Sequence, residues 1–196
     1  MKSIRMGIDI DGTVTCPSTF VPYLNEAFQK DFTLEDITQY NLVPLLGVSE
    51  KEVAAWFARN EQRIYAESPL AEGAIDVLDD WKHEHEFFFI SARGNHLLNT
   101  TKEWFEKHNI HFDHIELIGQ HDKIKVAQNH DVDIFFEDKH DNAVEISEEC
   151  DIPVILFDTP YNRNPIPDKV IRVYSWQEAQ HWVENWKKSE SLRREA

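Results

Sequence analysis

The sequence predicts an α/β fold with a parallel sheet and a helical insertion directly after the first strand. Three observations carry this. Short apolar runs recur along the chain, continuous rather than alternating, as expected of strands covered on both faces. Between them lie segments with apolar residues every three or four positions, and strands alternating with helices build parallel sheets. One interval, residues 14–68, has helical patterns and no convincing strand.

In chain order, residues 4–10 form the first apolar segment and end in acids. Within the insertion, Tyr23, Leu24, Ala27 and Phe28 share one helical face, and Val53, Trp56, Phe57 and Ile64 share another. Ser49, three residues before Glu52, is a capping-box start. Ala74, Val77, Leu78 and Trp81 then mark a helix that leads to the second strand, Phe87-Phe88-Phe89-Ile90. Leu97, Leu98, Trp104 and Phe105 mark the next helix. Residues 114–118, 133–136, 154–157 and 170–174 read as the remaining strands. The expected division is a core of residues 1–13 and 69–188, an inserted helical unit of residues 14–68, and a polar tail, 189–196, expected to be disordered.

The chain has 196 residues, enough for one domain with a modest insertion. Twenty basic against 36 acidic side chains give a formal net charge of -16. Such a surface repels nucleic acid polymers and anionic membranes. A small anion could still bind where a local cation or metal reverses the field. Two cysteines, Cys16 and Cys150, imply no disulfide framework and suit a reducing compartment. There is no signal-peptide apolar region at the start and no run near the roughly 20 apolar residues that span a bilayer, so a cytoplasmic location is expected.

The chemistry concentrates at strand ends. Asp9 and Asp11, in Ile8-Asp9-Ile10-Asp11-Gly12-Thr13, stand at the carboxyl end of the first strand, where open parallel sheets bind ligands. Acids at i and i+2 share a side of a strand, and crowded carboxylates call for a cation. Magnesium fits such oxygen donors. Asp-Gly turns are common, but here buried-strand residues precede the pair. Ser91 closes the second strand, where a hydroxyl can donate to a phosphoryl oxygen, and Arg93 and Gly94 follow it. Lys123 precedes a helix. Glu137 and Asp138 close the strand before them, with Asp141 one turn later; both aspartates also read as helix caps. The order of these segments puts every candidate at one end of the same sheet.

This order resembles the haloacid dehalogenase superfamily of phosphotransferases. Its four motifs are matched by Asp9-Ile10-Asp11-Gly12-Thr13, by Phe87 to Ser91, by Lys123, and by Glu137-Asp138. The resemblance implies a doubly wound, Rossmann-like core, and it makes the 14–68 insertion the position of a type-one helical cap. Within the superfamily the chain is similar to the 5'(3')-deoxyribonucleotidase group and its bacterial relatives. The matching residues are His121-Asp122-Lys123, then Glu137-Asp138-Lys139 and Asp141. It departs from that group in having Glu137 as first acid of the pair, a longer stretch from Lys123 to the pair, and Ala92-Arg93-Gly94 after the second motif.

The resemblance implies a magnesium-dependent phosphomonoesterase. Asp9 is the expected nucleophile, forming an aspartyl-phosphate. Asp11 is the expected acid and then base. Asp9, the Asp11 backbone carbonyl and Asp138 are the expected magnesium ligands. Ser91 and Lys123, with Arg93 beside them, are expected to bind the phosphoryl group; Thr13, Glu137 and Asp141 are supporting residues. Phe20, Tyr23, Tyr40 and Trp56 are aromatic residues that could stack on a base, Phe20 foremost, or be helix core. The expected partner is a small phosphorylated substrate, a nucleoside monophosphate by the resemblance, with no nucleic acid polymer and no membrane; a homodimer is left open. Two alternatives stay open here: a phosphatase for a non-nucleotide phosphomonoester, and a catalytically inactive binding protein on the same fold. The signature of the second is loss of Asp9 or Asp11, and both are present.

Overall fold

The computed structural model describes residues 3–119 and 123–195. Six parallel strands form one sheet: β1 (Arg5–Ile8), β2 (Glu86–Ser91), β3 (His114–Leu117), β4 (Ile134–Glu137), β5 (Val154–Phe157) and β6 (Val170–Val173), in the order β3-β2-β1-β4-β5-β6. Each lies on a predicted apolar run to within a residue or two. The order reverses between β1 and β4, and doubly wound sheets bind ligands at such a crevice.

The sheet is covered on both sides, which is why its strands read as continuous apolar runs. Alternate residues point to opposite faces. Met6, Ile8, Phe87, Phe89, Ile134 and Phe136 face α4 (Ala74–Trp81), α5 (Leu98–Lys107) and α8 (Trp176–Glu195), against Trp81, Trp104 and Trp176. Phe88, Ile90, Phe135, Val154 and Leu156 face α6 (Ile124–Asn129) and α7 (His140–Glu149). The four buried positions of α4 are Ala74, Val77, Leu78 and Trp81, the face its spacing predicts.

Between β1 and α4 the described residues form no strand of the sheet. They form α1 (Val21–Phe28), α2 (Val43–Leu46) and α3 (Glu50–Glu67). These helices share an apolar cluster of their own, centred on Val21, Leu24, Ile37, Leu46, Trp56 and Ile64. Ser49 caps α3 as expected: its backbone N–H donates to Glu52 Oε2 at 2.9 Å, and the Glu52 N–H returns to Ser49 Oγ at 3.3 Å. Where the chain leaves and rejoins the sheet, Thr15 and Leu70 form an antiparallel bridge, flanked by Cys16 N–H to Pro69 O and Ala71 N–H to Val14 O, each 2.8 Å.

At the other end, α8 continues past Lys188 to Glu195, where the sequence reading expects a disordered tail. Glu, Leu and Arg dominate that stretch, and all are good helix formers. No helix among the described residues is long and apolar enough to cross a membrane.

Candidate active site

The crevice between β1 and β4 holds the acids. The Asp9 N–H donates to Phe136 O at 2.9 Å, and Ile8 pairs with Phe136, so the parallel register carries Asp9 to the level of Glu137 and Asp138. One carboxylate oxygen from each of these three residues lies within 4.8 Å of the others, and all three side chains are buried. The Lys123 ammonium reaches in from the start of α6, 2.6 Å from Asp9 Oδ1 and 3.0 Å from Glu137 Oε1.

Crowding sets the charge states. Burial raises Asp9, against the pull of Lys123, until its pKa reaches about 8. Burial, with Glu137 and Asp9 adding repulsion, drives Asp138 well above the carboxylate range. Glu137 is also opposed by burial, yet Lys123, the Asn142 amide (2.6 Å) and the Asp138 N–H (3.0 Å) together hold it below its ordinary value. Burial likewise works against the Lys123 charge, but Asp9 and Glu137 outweigh it and keep the ammonium protonated.

Asp11 sits at the rim in a different bond. Arg93 Nε and Nη2 donate to its two oxygens at 2.9 and 2.7 Å, a bidentate pair. The same guanidinium donates to Thr101 Oγ1 at 3.1 Å and lies 4.0 Å from the centroid of the Tyr65 ring. Ser91, which lines the crevice, accepts the Arg93 backbone N–H at its Oγ at 3.2 Å. Gly12 adopts φ +78°, and a Cβ there would overlap the Asp138 carboxylate.

Above this floor opens a cavity of about 440 Å³ lined by Asp9, Asp11, Ser91, Arg93, Lys123, Glu137 and Asp138, within the roughly 300–1,000 Å³ typical of small-molecule sites. Its opposite wall comes from the inserted helices and is aromatic. Phe20 stacks on Phe57 with centroids 5.5 Å apart and meets Tyr65 edge-on at 6.0 Å. Tyr40 and Tyr161 pack edge to face at 6.0 Å on another side.

Some predicted residues fall elsewhere. Asp141 is exposed, in the first turn of α7, and pairs with His140 at 3.0 Å; the helix start claims it, and Asn142 enters the crevice instead. The Thr13 side chain is buried without a hydrogen-bond partner among the described residues, while its carbonyl accepts the Trp176 indole N–H at 3.1 Å. Tyr23 turns to Glu67, its hydroxyl donating at 2.6 Å, and Trp56 is buried against Phe28 and Phe57, so neither lines the cavity. His121 and Asp122 lie outside the described residues. Sequence reading missed Tyr161, whose hydroxyl donates to Asp138 Oδ2 at 2.5 Å, and Asn162, which donates to the Asp138 carbonyl at 2.6 Å. Their one signal was position, in the loop after β5 at the same sheet edge.

The carboxylates of Asp9, Asp11, Glu137 and Asp138 outnumber the cations Arg93, Lys123 and Lys139 that line the same crevice. Burial first, and that excess of acids after it, raises the pKa of Asp9 and Asp138. A hard divalent ion with oxygen ligands would remove the excess, so the donor set fits magnesium.

The described geometry agrees with what the chain is similar to. Residues 2–188 match the family model for 5' nucleotidase, deoxy (pyrimidine), cytosolic type C protein. Over 187 residues the chain is 56% identical to "Putative nucleotidase BH1399" of Halalkalibacterium halodurans, covering 95% of this chain and 96% of that protein. Among solved structures, the haloacid dehalogenase-like hydrolase SP0104 of Streptococcus pneumoniae superposes with a TM-score of 0.67 at 16% identity, over 92% of this chain and 98% of that one. The HAD-hydrolase YfnB of Bacillus subtilis, solved bound to magnesium, superposes with a TM-score of 0.61 at 12% identity, over 94% of this chain and 100% of that one. At those identities the two structures speak for the fold.

Proposed function

Because the chain belongs to the 5' nucleotidase, deoxy (pyrimidine), cytosolic type C family, and so is a phosphoric monoester hydrolase of the haloacid dehalogenase superfamily, we propose that it hydrolyses nucleoside monophosphates through an aspartyl-phosphate on Asp9, with magnesium. The observation that carries the proposal is the pairing of Asp9 and Lys123, 2.6 Å apart, on the floor of a cavity whose far wall is aromatic.

Asp9 attacks phosphorus while the ester oxygen leaves with a proton from Asp11. Asp11 then takes a proton from water, the water oxygen attacks phosphorus, and inorganic phosphate departs from the regenerated Asp9. To carry a proton, Asp11 must release at least one of its two Arg93 hydrogen bonds. Lys123 and the Ser91 hydroxyl bind the phosphoryl oxygens, and Glu137 keeps Lys123 aimed at them. Asp9, Asp138 and the Asp11 carbonyl would hold magnesium, which supplies charge neutralisation for the carboxylates and the phosphoryl group. The 14–68 insertion acts as a cap, presenting Phe20 and Phe57 to the base and shielding the reaction from water.

The test is phosphate release from a broad phosphomonoester panel, with magnesium and with excess chelator. Nucleoside monophosphates should rank first, chelation should abolish turnover, and Asp9→Asn should leave less than about a tenth of the rate, a loss above ~1.4 kcal/mol of barrier. Preference for sugar or amino-acid phosphates would overturn the nucleotide assignment. Full activity in chelator would overturn the metal, and an active Asp9→Asn the covalent route.

A further inference from the structure

A second group of metal-ligating side chains lies away from the cavity. His114 and Glu116 stand two residues apart on the edge strand β3, so they project from one face of it. His130 ends α6. Glu116 Oε2 lies 3.3 Å from His114 Nε2 and 3.1 Å from His130 Nε2. The two imidazole centroids are 4.6 Å apart, and one ligand atom from each of the three residues lies within 4.8 Å of the others.

We propose that His114, Glu116 and His130 bind one first-row divalent transition ion, zinc in the first instance, at a site separate from the catalytic crevice. The donor set argues for the ion class. Two imidazoles and one carboxylate suit zinc and its neighbours, whereas magnesium prefers oxygen alone. The crevice, built from carboxylates, has the opposite preference, so the two sites select different ions.

Spacing argues for a site rather than a chance cluster. Zinc bonds of about 2.0–2.2 Å in a tetrahedron place neighbouring donors about 3.3–3.5 Å apart. The two histidine-to-carboxylate separations already stand close to that edge; binding closes the imidazoles on each other and gives the ion an Nε2 lone pair from each, in place of any N–H aimed at Glu116. The supports are in place. β3 is hydrogen-bonded along β2, and the rings of His114 and His130 lie 6.2 and 5.0 Å from Phe88 on that strand. The His130 carbonyl accepts from Arg5 Nη1 at 3.0 Å. Access is open as well: the side chains of His114, Glu116 and His130 are 42, 40 and 25% exposed, so an ion enters from solvent and water fills its remaining position.

Such an ion would fasten α6 at its far end. The helix begins next to Lys123, held by Asp9 and Glu137, and finishes at His130. A bound ion ties that finish to the edge strand, so both ends of the helix that carries the phosphate-facing lysine are anchored.

The test uses the full chain, stripped of metal and then equilibrated with zinc in excess magnesium. Bound zinc is counted after dialysis, and cobalt substitution is followed by visible absorption. One equivalent of zinc should be retained. His114→Ala and His130→Gln should each weaken retention by about a hundredfold or more, since even outer-shell changes cost 10–100-fold. Asp138→Asn should retain it in full. Far-ultraviolet circular dichroism of each variant checks the fold. No retained zinc, retention unchanged in both histidine variants, or retention lost only in Asp138→Asn would each overturn the proposal, the last by placing the ion in the catalytic crevice.

Discussion

Arg93 and Asp11 come from loops 82 residues apart, yet they form the best-made ion pair at the rim of the crevice. The Arg93 side chain is fully buried and that of Asp11 is 23% exposed. Removing one partner of a buried pair costs roughly 3–5 kcal/mol; the partial exposure of Asp11 argues for the lower end. The Tyr65 ring, 4.0 Å from the guanidinium, adds about 1–2 kcal/mol for a desolvated cation. Arg93→Met should therefore destabilise the chain by about 4 kcal/mol, or roughly 8–16 °C in midpoint at this size. Asp11→Asn strands the buried guanidinium and should cost about 3 kcal/mol. The double variant has no stranded charge, so its cost should fall well short of the sum, with a coupling of about 2 kcal/mol or more. Urea unfolding in excess chelator measures this without contributions from bound metal. Additivity within about 0.5 kcal/mol would refute the reasoning and reduce the pair to two independent packing residues.

Gly12→Ala should cost more stability and activity than Gly47→Ala, because both glycines have positive φ but a Cβ meets the Asp138 carboxylate only at Gly12; equal midpoints and equal rates would remove the steric argument. Phe20→Ala should slow nucleotide turnover more than turnover of a generic aryl phosphate, base stacking being worth about 1–3 kcal/mol; equal losses would make Phe20 a packing partner of Phe57 and Tyr65. His85 is lowered from 6.5 by burial and then by Lys187, and its Nδ1 accepts the Ile4 N–H at 3.4 Å. Its folded pKa lies below the unfolded one, so the stability it contributes is full above about pH 6.5 and is lost as pH falls through the folded value. Unfolding free energies across that range should show a steeper acid loss in the wild type than in His85→Gln, and parallel slopes would count against the assignment.

Local pattern made most of the fold legible. β2 is an uninterrupted Phe-Phe-Phe-Ile run because both its faces are covered, and α4 shows its buried face in a spacing of three and four. Asp9, Ser91 and Glu137-Asp138 could be found because each stands where an apolar strand stops. Contacts between loops leave no such trace. Arg93 read as a residue beside the phosphate, but its partners Asp11, Thr101 and Tyr65 are chosen by the sheet order, which brings the ends of β1 and β2 side by side. Asp141 and Asn142 are neighbours in sequence; the start of α7 sends one to solvent and the other to Glu137, a choice that polarity alone does not encode. Tyr161 and Asn162 sit in an ordinary-looking turn whose use depends on β5 lying next to β4.

The separate apolar cluster of the inserted helices has a consequence for how such a protein can change over generations. The groups proposed to meet the phosphate stand on strand ends and at the start of α6, rooted in the sheet's two cores. The ring wall leans on a third core at Phe20 and Phe57, which also pack against the first, and the inserted unit rejoins the sheet through paired connectors at Thr15 and Leu70. Val53 and Ile37 belong to the third core and line the cavity, so a substitution there can reshape the wall while Asp9 and Lys123 keep their own supports. Selection can thus trial new leaving groups against a fixed reaction centre, and lineages that share the floor are free to diverge in what they dephosphorylate.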